Sequence, residues 1–302
     1  MFKTPILVIA YNRVEFTHDL FTVLHALQPE KLYVSVDGAA PDDRVDYRKT
    51  LEVQCVFACE WPCEWPCELH TNFNAKHLGK SKHVVSAINW FFENESEGII
   101  LFDDTIPHPD FFPYCEELLE KFRDNQKIGH IGGCNILKKK SVDASYYFSA
   151  YPTVWGFATW RDRWQGFDIH AKEVSVSDFP DIFAPYTVKR KVPNFWMRRF
   201  KLITQYPTID IWEYQYFIHL WKKQCLSIIP NTNLIENRGF DTKSKRKLRR
   251  LDRPTQPILP LVHNPEIVQN EYADRYIFRR YFRKDNLTFL RHWIEENILI
   301  ND

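Results

Sequence analysis

Glycine is scarce in this chain, at 9 of 302 residues, roughly half the usual ~7%. Charge of either sign is also lacking in excess: 40 Lys and Arg stand against 39 Asp and Glu, for a formal charge of +1. No apolar run approaches the ~18 residues that a membrane span needs. Each shortage excludes something. Few glycines argue against proteins that cradle phosphate on glycine-rich loops. Balanced charge gives no global electrostatic reason to bind nucleic acid. The start, Met1 to Pro5, lacks a signal-peptide layout, and the apolar stretch after it ends at Asn12 and Arg13, so a cytoplasmic chain is expected.

What is abundant is aromatic. The chain has 23 Phe, 14 Tyr and 10 Trp, and 44% of it is hydrophobic, which excludes disorder and suits one large domain or two small ones. Its 7 cysteines are odd in number, and a cytosolic setting favours reduced thiols. Cys55, Cys59, Cys63 and Cys67 stand four apart, around a tandem Glu-Trp-Pro-Cys unit. Four thiols could bind zinc, but Pro62 and Pro66 forbid the regular helix that would align them. A local duplication in a loop is the better reading.

The first ~135 residues alternate strand and helix. Strands are predicted at Pro5 to Tyr11, Lys31 to Val36, Glu68 to Phe73, Gly98 to Phe102 and Ile128 to Gly133. Apolar residues recur at helical spacing from Phe16 to Leu27, from about Asp43 to Phe57, from Val84 to Phe92 and from Pro109 to Phe122. The alternation predicts an open, mostly parallel sheet with helices on both faces, and in such sheets ligands sit beyond the carboxyl ends of the strands. Asn12 and Arg13, Asp37 and Gly38, and Asp103 and Asp104 all fall there. Residues 145 to 168 are dense in aromatics, 175 to 210 read as loops and short helices, and Trp212 to Lys223 reads as a helix. Residues 243 to 253 hold seven Lys and Arg, a segment able to meet anionic lipid.

A dinucleotide fold needs G-x-G-x-x-G after strand one; here the position reads Ala10-Tyr11-Asn12-Arg13-Val14-Glu15. A P-loop is absent too, Gly79-Lys80-Ser81 matching only its last three residues. Carboxylates that grip Mg²⁺ or Mn²⁺ can instead hold a diphosphate. Asp103 and Asp104 at the end of an apolar strand suit that, although one of them could simply cap the next helix.

The ordered set of Asn12-Arg13, Asp37, Leu78-Gly79, Leu101-Phe102-Asp103-Asp104 with Pro109-Asp110-Phe111-Phe112, Trp155-Gly156-Phe157-Ala158-Thr159-Trp160 and Asp210-Ile211-Trp212-Glu213 resembles the GT-A fold glycosyltransferases. It is closest to the family-2-like bacterial group labelled as haemolytic-protein homologues, and is also similar to N-acetylglucosaminyltransferase I. The resemblance covers roughly residues 5 to 240. It implies an α/β fold of GT-A type, an open, mostly parallel sheet flanked by helices, as residues 1–240. Residues 241–302 then form a basic, partly helical extension packed on it.

The implied activity is inverting transfer of a sugar from a nucleotide-diphosphate donor, such as a UDP-sugar, to a glycan or lipid-linked acceptor in polysaccharide biosynthesis. Ala10, Tyr11, Asn12, Arg13, Asp37, Leu78, Gly79, Lys80 and Asp103 are then donor-binding. Asp104 is the ligand of a Mn²⁺ or Mg²⁺ ion. Relatives usually carry an acid where this chain has Phe102, so metal binding is expected to be weak, and a weak or inactive sugar-nucleotide-binding protein is the alternative. A basic segment follows Asn237-Arg238-Gly239-Phe240, where many relatives place a histidine, and can grip the diphosphate instead. Glu213 is the first choice for general base and Asp210 the second, although a carboxylate at a helix start is also favoured by the dipole. Trp155, Gly156 and Trp160 are acceptor candidates, with core packing the competing role for each Trp. His108, His130 and His219 read as structural or surface groups. No nucleic-acid partner is expected, and residues 243–253 suggest peripheral contact at the inner membrane face.

Overall fold

Strand Ile6–Ala10 (β1) is a run of five apolar residues, all buried, as a strand covered on both faces must be. Its alternate residues face opposite ways. Ile6, Val8 and Ala10 join one core with Leu20 and Leu24 of helix Val14–Leu27 (α1). Leu7 and Ile9 join a second core on the other face. The chain continues through Lys31–Val36 (β2), Arg44–Ala58 (α2), Glu68–Phe73 (β3), Lys80–Asn94 (α3) and Glu97–Phe102 (β4). β2 and β4 pair with β1 in parallel, and β3 pairs in parallel with β2. α1 and α2 cover one face and α3 the other. The structure, a computed structural model, describes residues 1–58, 67–137, 140–187, 191–205, 210–241 and 253–282.

The later elements are Thr105–Pro107 (β5), Phe111–Phe122 (α4), Ile128–Gly132 (β6), Tyr146–Ser149 (β7), Phe157–Trp160 (β8) and Arg161–Trp164 (α5). They are followed by Phe179–Phe183 (α6), Lys191–Gln205 (α7), Glu213–Lys222 (α8), Leu226–Pro230 (β9), Ile235–Asn237 (β10) and Glu271–Ile277 (α9). One eight-stranded sheet runs in the order β3-β2-β1-β4-β8-β6-β9-β7, and β5 and β10 form a separate pair. β8 is antiparallel to both β4 and β6, and β7 is antiparallel to β9, while β6 and β9 are parallel. The fold is thus α/β with a large, mostly parallel mixed sheet between helical layers.

Two regions depart from the expected layout. The aromatic stretch from 145 to 168 supplies two strands, β7 and β8, whose residues are all buried. Residues 175 to 210, expected as loops and short helices, contain the 15-residue α7. Its buried Trp196, Arg199, Phe200 and Ile203 stand three or four apart, and Pro193 falls in its first turn, where proline costs little.

Residues 253–282 run from Asp110 at the start of α4, which accepts the Ile258 amide at 2.8 Å, to the edge strand β7. Gln269 bridges to Phe148 of β7, and the buried Asp274 accepts from Ser149 Oγ at 2.5 Å and from the Ala150 amide at 3.0 Å. Lys243 to Arg250, the bulk of the basic segment expected at a membrane, lie outside the described residues, as do Cys59 and Cys63 of the cysteine series. Among the described residues no helix is long and apolar enough to cross a membrane.

Candidate functional site

Parallel strands deliver their carboxyl ends to one rim of the sheet, and three of these ends carry ionisable groups. β1 runs into Tyr11, Asn12 and Arg13, β2 into Asp37, and β4 into Asp103 and Asp104. The segments are tied together. The Asp37 amide donates to the Ala10 carbonyl at 3.1 Å, and the Asp103 amide to the Ile9 carbonyl at 3.1 Å. The Tyr11 amide donates to Asp103 Oδ2 at 3.1 Å.

Asp103 and Asp104 are 3% and 7% exposed. Two adjacent buried carboxylates need a cation, and Arg13 supplies it. Its Nη1 lies 2.7 Å from Asp103 Oδ1 and 2.9 Å from Asp104 Oδ2. Burial pushes the Asp103 carboxyl up to about 6 even with Arg13 pulling it down. Arg13 is held at the entrance to α1, where its carbonyl accepts from the Thr17 amide and hydroxyl, both at 2.9 Å.

A lid of chain closes over Asp104 from β10. Asn237 pairs with Thr105 of β5, and the Arg238 amide donates to the Asp104 carbonyl at 2.8 Å. Any side chain at Gly239 would collide with this acid, because a Cβ there would lie 2.2 Å from Asp104 Oδ2. The Asn-Arg-Gly turn is thereby brought onto the acid pair, and Asn237 Oδ1 is a buried acceptor without a hydrogen-bond partner.

Asp37, expected to meet the donor nucleotide, spends both oxygens on the protein. Oδ1 accepts from the amides of Gly38 and Leu78, both at 3.0 Å, and Oδ2 from Gly79 at 3.1 Å. It fixes the loop that opens α3, and His77 beside it lies 3.1 Å from Oδ2. Asp210 accepts from the Ser81 amide at 2.9 Å, in the first turn of α3. Lys80 Nζ lies 2.5 Å from Glu213 Oε1, and Glu213 Oε2 accepts from the Trp212 amide at 3.1 Å. Trp212 connects this pair to the acids, since its ring lies 6.3 Å from that of Phe102.

One organising residue escaped the sequence reading. Asp46, in the first turn of α2, is 6% exposed and accepts from Tyr11 Oη, Asn12 Nδ2 and the Ala40 amide. Burial works to raise its carboxyl, but the bonds from Tyr11, Ala40 and Asn12 outweigh burial and hold it below the usual carboxylate range. The nearby Asp42 and Asp43 are exposed, so no sequence signal distinguishes Asp46 except its helical phase with buried Thr50 and Val53. Beside this loop a cavity of about 790 Å³ opens between Ala40, Tyr47 and Asn74.

The acceptor candidates separate. Trp160 is 2% exposed, with the Arg163 guanidinium 4.6 Å from its ring, so its face is taken inside the protein. The space beside Gly156 is filled by Ile235. Trp155 is half-buried and contacts Tyr281 edge-on at 6.1 Å. His130 is fully buried between Tyr216 and the Thr153 carbonyl, and His219 lies 2.8 Å from the Arg163 carbonyl.

The residues present do not fit a divalent ion. Such ions are held beside phosphates by one or two free carboxylates, with waters and phosphate oxygens completing the shell. Here both acids already engage one guanidinium, the third acid position is the apolar Phe102 packed toward Trp212, and among the described residues Asn237 Oδ1 is an unpartnered buried oxygen beside the turn over Asp104. No group of three or more His, Cys, Asp or Glu able to hold a metal occurs among the described residues.

No protein-family model matches this chain, and no curated protein matches it. Among solved structures, HddC from Yersinia pseudotuberculosis is 11% identical over 54% of this chain and 78% of its own, with a TM-score of 0.33. A structure described as a glucose-1-phosphate thymidylyltransferase from Bacillus anthracis, solved with sucrose, is 10% identical over 65% and 82%, also at 0.33. A197 from STIV is 11% identical over 78% and 91%, again at 0.33. Likeness of this size carries no functional weight.

Proposed function

We propose that this chain is an inverting glycosyltransferase of GT-A type, which moves a sugar from a nucleotide-diphosphate donor, a UDP-sugar first, to a hydroxyl of a glycan or lipid-linked acceptor. One observation carries the reading. Arg13, Asp103 and Asp104 converge at the carboxyl ends of β1 and β4, and the Phe102–Trp212 contact joins them to the Lys80–Glu213 pair. Cations able to neutralise a leaving diphosphate and a carboxylate able to take a proton thus share one rim, where ligands of such sheets bind.

The chemistry follows from these groups. Tyr11, Asn12 and the loop fixed by Asp37 border the nucleotide, and Asp103 holds Arg13 beside it. Lys80, 54% exposed in its side chain, transfers from Glu213 to the diphosphate when the donor enters. That frees Glu213, still held through the Trp212 amide, to remove the proton of the acceptor hydroxyl. The acceptor oxygen attacks the anomeric carbon from the face opposite the diphosphate. The carbon–oxygen bond to the diphosphate breaks, the nucleoside diphosphate leaves with that electron pair, and inversion results. Asp210 is the second choice for base, but one of its oxygens already accepts the Ser81 amide. Trp155 is the remaining aromatic platform for an acceptor sugar.

A thermal-shift screen of nucleotide sugars tests the reading, because a ligand that binds only the folded state raises Tm. At least one UDP-sugar is expected to raise it, with nucleoside diphosphate released when a suitable acceptor is supplied. A donor that binds but never turns over with any acceptor would leave a sugar-nucleotide-binding protein. Absence of any shift across the panel would remove the reading.

A further inference from the structure

We propose that the cation serving the Asp103–Asp104 pair is built into the chain as the Arg13 guanidinium, and that nucleoside diphosphates bind at this rim without a divalent metal ion. The proposal rests on the donor-site reading above and adds to it the identity of the positive charge.

A single nitrogen, Nη1, bridges the two carboxylates at 2.7 and 2.9 Å, the place where a shared metal ion would otherwise be needed. The bridge is fixed from both ends. Asp103 is anchored by the Tyr11 amide, and the Arg13 backbone is anchored at the start of α1 through Thr17. Phe102 cannot contribute a ligand, and its ring packs toward Trp212. The acids are therefore positioning residues: they orient a guanidinium rather than hold a metal.

The guanidinium is equipped for the task. It carries five N–H donors in one plane, and each contact described for it leaves from Nη1. Its side chain is 37% exposed, so part of the fork stays open at the rim, and planar forks match phosphate oxygens two at a time. Lys80, the residue after Gly79 of the Asp37-fixed loop, supplies the second cation once it leaves Glu213.

Two measurements on the full chain test this. The first is a titration with Mn²⁺ alone, free ion being read by its EPR signal. Wild type is expected to leave Mn²⁺ free, and R13Q, whose acids are bared, to take it up. The second is calorimetric titration with UDP, GDP and dTDP, in EDTA and again in Mn²⁺. Wild type is expected to bind one of them equally in both, and R13Q to lose at least about tenfold in EDTA, the scale of a charge-assisted hydrogen bond, with recovery in Mn²⁺. Uptake of Mn²⁺ by wild type, or diphosphate binding that appears only with Mn²⁺, overturns the proposal. If no diphosphate binds under either condition, the donor-site reading fails, and the Mn²⁺ titration still decides whether Arg13 or a metal occupies the acid pair. Should R13Q not fold, the two wild-type titrations decide alone.

Discussion

The two halves of the sheet bury different things. In the parallel half, β3-β2-β1-β4, the three inner strands β2, β1 and β4 are largely apolar and their carboxyl ends are ionic: Arg13, Asp37, Asp46, Asp103 and Asp104 hold one another and the loops around them. In the half built from β8, β6, β9 and β7 the interior is a network of rings. Trp196 alone has the rings of Trp221 and Phe282 at 4.9 and 4.7 Å, and Tyr214 at 5.3 Å. Burying rings stabilises, whereas burying adjacent acids costs free energy unless a partner is provided. The difference teaches where to look for chemistry. The apolar interior stabilises, most densely in the aromatic half, and the ionic rim is where the fold accepts a cost.

The largest effect that would sharpen this contrast is in the aromatic half. Trp196 is fully buried, and Trp196→Ala is expected to lose about 3–5 kcal/mol of stability by urea denaturation, while the folded fraction keeps its affinity for nucleotide. Lost affinity in folded protein would break the division between the halves. Next comes the rim: Glu213→Gln is expected to lower transfer by at least about 10²-fold, the scale of a general base, with donor binding and Tm little changed. Full activity would move the base to Asp210.

The smallest effect concerns pH. Burial pushes His130 down to about 3 and His219 down to about 4, below the ordinary ~6.5 of an unfolded histidine. The folded protein therefore binds fewer protons than the unfolded chain below that value. The stability that each neutral histidine allows is present above about 6.5 and is lost as pH falls toward its folded value. From pH 7 to 5, His130 accounts for a loss of about 2 kcal/mol. His130→Gln is expected to shrink the drop by that amount in denaturation curves at the two pH values. An unchanged drop would mean that His130 is charged in the fold.

The parallel half was legible in the sequence because β1 and β4 are apolar runs and the strand and helix segments alternate; the expected bounds of β2 and β3 coincide with those observed, although β3 is a polar edge strand. β7 and β8 were not, since four buried residues give neither alternation nor length. α7 was hidden by Pro193 and by charges at its exposed positions. At the rim, Asp103, Asp104 and Arg13 could be found from strand ends, but their mutual pairing could not. Which of Asp42, Asp43 and Asp46 turns inward, and that Trp160 is enclosed while Trp155 is half-open, depend on helix phase and on contacts across more than thirty residues of chain.

The most direct test is release of nucleoside diphosphate from a panel of nucleotide sugars, measured for wild type and Glu213→Gln side by side with a mixed pool of glycan acceptors. Release from one donor by wild type, cut at least about 10²-fold in the variant, is the predicted result. Equal release from both proteins would take the base role from Glu213, and no release from wild type with no donor bound would contradict a sugar-transfer site at this rim.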